Sequence, residues 1–139
     1  MTKFGYPDTL VKDYGAWVVL ARPAQVTLGS LVLVCREPVQ AFSALSPQGF
    51  EVLGTVVRDT EACLSALWDY DKINYLMLMM VDPDVHFHVI PRYQDARTFE
   101  DAEFGDKGWP AVPDLGAPHD LPDDKFSHLV AHIAGNWPT

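Results

Sequence analysis

Residues 84 to 92, Asp-Val-His-Phe-His-Val-Ile-Pro-Arg, constrain the fold more than any other part of the chain. Successive side chains of a β-strand point to opposite faces, so Asp84, His86, His88, Ile90 and Arg92 fall on one side and Val85, Phe87, Val89 and Pro91 on the other. The second face needs an apolar layer packed against it. The first carries three titratable side chains spaced about 6.6 Å apart, and core packing does not account for these, because burying them unpaired is costly. Two solvated histidines on an open sheet face are the plain alternative. A site with chemistry is the stronger reading.

The rest of the chain supplies that apolar layer. Val and Leu dominate residues 16–20 and 30–35, with Arg22-Pro23 and Leu28-Gly29 as breakers between them, which predicts two antiparallel strands. A short strand at 9–12 precedes them. Ser46-Pro47 fits an N-cap followed by proline at the first helical position, and Phe50, Leu53, Val57, Leu64 and Leu67 recur at helical spacing. One helix from Pro47 to Trp68 is expected to cover the sheet. Residues 73–81, rich in Leu and Met, then read as a strand covered on both faces, joined through Asp82-Pro83 to the histidine strand as a β-hairpin. The last element is a short helix from Pro122 to Ile133, with Gly135 as its C-cap. Together these give a single α+β domain over 1–139: an antiparallel sheet of about five strands, one long helix and a short C-terminal helix.

Between the last strand and the last helix, residues 94 to 121 are irregular, acidic and rich in proline. From 95 to 124 nine acids face only Arg97 and Lys107 within an overall charge of -9. That balance argues against a nucleic-acid-coating surface, which requires clustered Lys and Arg. A partner-binding role would use this stretch with Phe99, Phe104 and Trp109; a solvated loop folded over the sheet is the alternative. The N-terminus lacks the apolar segment of an export signal and no run approaches a membrane span, so a soluble cytoplasmic protein is expected. Cys35 and Cys63 lie inside predicted elements at no metal or redox spacing and read as core residues.

The strand His86-Phe87-His88-Val89-Ile90-Pro91-Arg92 resembles the motif of the histidine triad superfamily, with Asp84 where the first triad histidine stands. The preceding elements also follow the family's order, through Gly29-Ser30-Leu31-Val32-Leu33-Val34 and Phe42-Ser43-Ala44-Leu45-Ser46-Pro47, so the similarity spans about residues 10 to 93. This resemblance implies a dimeric, nucleotide-binding hydrolase or transferase acting at the α-phosphorus of nucleoside polyphosphates, diadenosine polyphosphates or phosphoramidates. His86 would be the nucleophile that forms a nucleotidyl-histidine. His88 would contact phosphate oxygens or assist the leaving group, and the Asp84 carboxylate would orient His86. The resemblance implies no required cofactor and is compatible with a divalent metal that arrives with the substrate.

Three features depart from the family pattern. The Gly-rich phosphate loop is reduced to Asp82-Pro83, Leu20 or Ala21 stands where relatives present Asn to the ribose, and Ser30 stands where many have histidine. Arg92, Ser30, Asn74, Lys72 and Arg22 are the candidates for substrate contacts. A competing reading makes Asp84, His86 and His88 metal ligands, or, more easily, two of them with a third ligand from His119, His128 or His132. A nucleotide-binding relative with little activity is the remaining alternative.

Overall fold

The computed structural model describes residues 4–138. Five antiparallel strands form one sheet: β1 (Leu10–Asp13), β2 (Trp17–Ala21), β3 (Leu31–Cys35), β4 (Lys72–Leu76) and β5 (His86–Arg92), in the order β1-β2-β3-β5-β4. Helix α1 (Pro47–Trp68) covers one face and α2 (Asp123–Gly135) completes the chain. The expected α+β architecture is thus realised.

The period-two pattern decides which face is dry. Trp17, Val19, Leu31, Leu33 and Val89 point toward α1 and are fully buried with Val56 and Leu64 of the helix. Each such side chain contributes about 1.5–3 kcal/mol on leaving water. The Trp17 indole N–H also donates to the Gly49 carbonyl at 2.9 Å, fixing the start of α1 over β2. Ser46 caps the helix as the sequence predicts, its hydroxyl accepting from the Gly49 N–H at 2.9 Å, and the Glu37 carboxylate accepts from both the hydroxyl and the N–H of Ser46. Both cysteines are buried, and burial pushes the Cys63 thiol up to about 11, the state of an inert core residue.

The buried stripe of α1 is rotated from the expected one. It runs through Val56, Thr60, Cys63, Leu64 and Trp68, while Leu53, Val57 and Leu67 flank it and Phe50 is 43% exposed against the Phe42 ring. Thr60 is tolerated at its centre because its hydroxyl donates to the Val56 carbonyl at 2.7 Å. Gly29 (φ +91°) allows the chain to enter β3 beneath this helix; a Cβ there would stand 3.0 Å from the Trp68 ring.

Four other expectations change. The strand expected over 73–81 ends at Leu76, and residues 77–85 form the hairpin loop, with Met79 at φ 51°. Nor is β4 covered on both faces: it is an outer strand of half-exposed residues. Residues 94–121 contain a small hairpin, β6 (Arg97–Phe99) and β7 (Ala102–Phe104), whose turn residues Glu100 and Asp101 both have positive φ. A Glu-Asp turn lacks the Asn-Gly or Asp-Gly signal that marks such hairpins in sequence. Finally, α2 runs through Gly135 and is capped by Asn136.

The acidic segment is anchored rather than free. Phe104 is buried in the core, Phe99 packs on His132, and the His119 N–H donates to the Gln25 carbonyl at 2.7 Å. No helix among the described residues is long and apolar enough to cross a membrane.

Candidate functional site

Register places the histidines near the middle of the sheet. His86 lies opposite Val34, and His88 lies between Val32 on β3 and Leu76 on β4. Their rings meet edge to face with centroids 5.2 Å apart. Beside them is a cavity of about 300 Å³ bounded by Phe4 and by Leu78 to Asp82 of the hairpin loop.

His86 is 3% exposed, and its Nδ1 lies 2.7 Å from the backbone carbonyl oxygen of Asp84. A carbonyl only accepts, so in the neutral ring Nδ1 carries the proton and Nε2 keeps its lone pair, and the residue lines the cavity. The peptide group of residue 84 therefore orients the imidazole. The Asp84 side chain does not share the histidine face: residue 84 sits in a bend before β5, exposed, and lines a separate depression with Cys35 to Pro38. That differs from the expected placement of its carboxylate: the alternation reaches back to Val85, which is fully buried in the core with Val89 and accepts from the Cys35 N–H at 3.0 Å, and the chain bends at residue 84.

His88 is half-buried, with Nδ1 enclosed and without a partner among the described residues. An enclosed lone pair is less costly than an enclosed N–H, so the proton sits on Nε2, which is thereby a donor toward a ligand. Burial foremost, then the charge of Arg22 and of His86, push His88 down to about 4. The free protein accordingly holds His88 neutral throughout the neutral range. Because the folded value lies below the ordinary 6.5, the unfolded chain binds the extra proton between those limits, and stability should rise with pH from about 4 to about 6.5. Urea titrations across that window should show the slope, and His88→Gln should flatten it.

The other candidates separate clearly. Arg22 follows β2, its Nη1 donating to the Ala24 carbonyl at 2.8 Å, and its charge bears on His88. Ser30 is buried with its hydroxyl closed onto Thr27, donating to that carbonyl at 2.8 Å and accepting from that N–H at 3.1 Å. Arg92 is 4% exposed and turned onto Asp106: Nε–Oδ2 is 2.7 Å and Nη2–Oδ1 3.1 Å, with Nη1 donating to Asn74 Oδ1 and Nη2 also to the Ala111 carbonyl. Four of its five N–H donors are thus committed within the protein. Asn74 lies opposite Ile90 and Lys72 opposite Arg92, farther along the sheet, where they line an open groove of about 880 Å³ with Trp109 to Pro113.

The expected metal ligands are not brought together. Asp84 lines a separate depression, His119 Nε2–H donates to the Gly105 carbonyl, His128 Nδ1 faces the Glu100 carboxylate, and His132 lies between Trp68 and Phe99. Among the described residues no three His, Cys, Asp or Glu side chains converge.

Two contributors were not legible in sequence. Phe4 packs on both imidazoles, at 5.5 Å from His86 and 6.1 Å from His88 between centroids. Gln25, fully buried, ties the β2–β3 connection by accepting from the N–H groups of Gly29 and Ser30 and donating to the carbonyls of Arg22 and Ser30.

Several solved histidine triad proteins share this arrangement of strands and helices. A histidine triad protein from Marinobacter aquaeolei superposes with a TM-score of 0.74 at 21% identity, over 96% of this chain and 90% of that one. The fold is that of the histidine triad proteins. The same histidine triad fold is shared by a hypothetical histidine triad nucleotide-binding protein from Sulfolobus tokodaii (TM-score 0.67, 14% identity, 92% of this chain and 82% of that one). It recurs in a zinc-bound histidine triad family protein from Mycobacterium smegmatis (TM-score 0.63, 15% identity, 93% and 86%). No family model and no curated protein sequence matches the chain.

Proposed function

We propose that this protein binds nucleotides and cleaves a phosphoanhydride, phosphoramidate or phosphoester bond at the α-phosphorus through a nucleotidyl-His86 intermediate. The observation that carries the reading is the 2.7 Å contact between His86 Nδ1 and the Asp84 carbonyl, which leaves Nε2 unprotonated beside a ligand-sized cavity.

The Nε2 lone pair forms the N–P bond while the bond from phosphorus to the leaving oxygen or nitrogen breaks, and the leaving group departs with that electron pair. The imidazole gains positive charge in this step, and the Nδ1–H bond to the carbonyl strengthens as it does so. His88 Nε2–H donates to a phosphate oxygen or to the leaving group. Water or a second phosphate then attacks phosphorus, frees the nucleotide and returns His86 to its starting state. Arg22 supplies nearby positive charge. Ser30 and Arg92 serve the fold, and Asn74 and Lys72 belong to the groove at the β4 edge.

The protein works as a homodimer in this account. The outer edge of β4 is unpaired among the described strands, and the adjacent loop exposes Met80 at 88% and Val81 at 89%. Light scattering on the eluting protein should give the mass of two chains.

Incubation with adenosine phosphoramidate and with diadenosine polyphosphates, with and without a divalent metal, tests the reaction. Release of a nucleoside monophosphate is expected. Protein inert across that panel would contradict the proposal and leave a binding protein.

A further inference from the structure

The histidine face of the sheet is not open on both sides of the site. Across β2 and β3 the outward-facing Val18, Leu20, Val32 and Val34 are already covered by this chain's own Phe4, Tyr6 and Leu10. The segment bearing these rings is held to the sheet and closed on itself: the Ala21 N–H donates to the Thr9 carbonyl and the Thr9 hydroxyl to the Phe4 carbonyl, each at 2.8 Å, and Arg36 lies over the Tyr6 ring while donating to Asp13 at 2.9 Å. Phe4 is its leading side chain. Its ring packs on both imidazoles and lines the cavity together with the Met79 to Val81 part of the hairpin loop.

We infer that Phe4 is a specificity-determining residue: it closes the β2–β3 side of the site and sets how large a group on the phosphorus can be seated beside His86. The inference rests on the nucleotidyl-transfer reading of the same site and adds the class of substituent that the site selects. With the sheet filled on one side, the space the described residues leave beside the histidines is the cavity lined by the Phe4 ring and the hairpin loop. Apart from Asp82 and the two imidazoles its lining is apolar, through Phe4 and Leu78 to Val81, so it favours a compact, apolar or flat aromatic substituent, and a bulky one meets the Phe4 ring. A wall of this kind discriminates through van der Waals overlap, where one or two methylene groups change selectivity by roughly 10–200-fold.

The test uses the full chain and a paired series of adenosine 5′-phosphoramidates, one with an unsubstituted amine and one with a bulky bicyclic aryl-alkyl amine. Phe4→Ala should raise the ratio of kcat/KM for the bulky over the small substrate at least about tenfold. Phe4→Trp should lower it, and Phe4→Leu, which keeps the segment covered, should fall between wild type and Phe4→Ala. Equilibrium binding of the same two compounds to each Phe4 variant in a His86→Ala background, measured by calorimetry, should move in the same direction and requires no turnover. If the ratios stay within about twofold while His86-dependent turnover persists, the role of Phe4 is overturned and the reaction stands. If wild type shows no turnover but the binding ratios shift, the wall is supported and the reaction is refuted. Absence of both turnover and binding overturns the two together.

Discussion

His86→Ala lowers kcat/KM for an adenosine phosphoramidate at least about a thousandfold, equivalent to about 4 kcal/mol of lost transition-state stabilisation. The magnitude follows from the role: without Nε2 no N–P bond forms, and the remaining groups can only hold the substrate. Asp84→Ala is the informative companion. The group that holds His86 is the backbone carbonyl of residue 84, which every substitution there except one that distorts the bend retains. Steady-state kinetics should therefore show a loss of no more than about threefold for Asp84→Ala, since the exposed carboxylate lines a different depression. A loss comparable to that of His86→Ala would mean that the carboxylate acts in the site after all.

Arg92→Met should be the most damaging substitution for stability, at about 3–5 kcal/mol, because it strands the Asp106 charge in a site where that side chain is 1% exposed. Urea denaturation monitored by tryptophan fluorescence measures this directly. The double substitution Arg92→Met with Asp106→Leu should recover most of the loss, since a buried ion pair and an apolar pair of similar volume are often close in free energy. If instead Arg92→Met left the unfolding midpoint unchanged and abolished nucleotide binding, Arg92 would be a substrate residue and the packing account wrong.

Both predictions depend on features that differ in how far the sequence shows them. Alternation from His86 to Arg92 is local, and so are the Ser46 cap and the proline at the start of α1; each is read from neighbours within a few residues, and each stands in the structure. The fold follows from these local signals. What escapes is contact between distant positions: Arg92 with Asp106 across the β6–β7 hairpin, Gln25 with the turn it closes, and Phe4 with the histidines. No pattern near Phe4 marks its ring as a wall of the cavity.

Residues 77 to 81 misled for a physical reason. Their apolarity suits a buried strand and a loop that lines a cavity equally well, and only the positive φ of Met79 and the exposure of Met80 and Val81 distinguish the two. Asp84 misled for another. Its place in the motif suggested a side chain set against His86, whereas the contact to His86 Nδ1 is made by the carbonyl of residue 84, which any amino acid supplies.

The central claim is that His86 Nε2 becomes covalently bonded to the α-phosphorus. Rapid quenching of wild-type protein mixed with excess adenosine phosphoramidate, followed by intact-mass and peptide mass spectrometry under alkaline conditions, measures this bond. The account predicts a species heavier by one adenylyl group, carried on the peptide containing His86 and absent from His86→Ala. Turnover without such a species, when quenching is faster than a single catalytic cycle, or its appearance on His88 would contradict it.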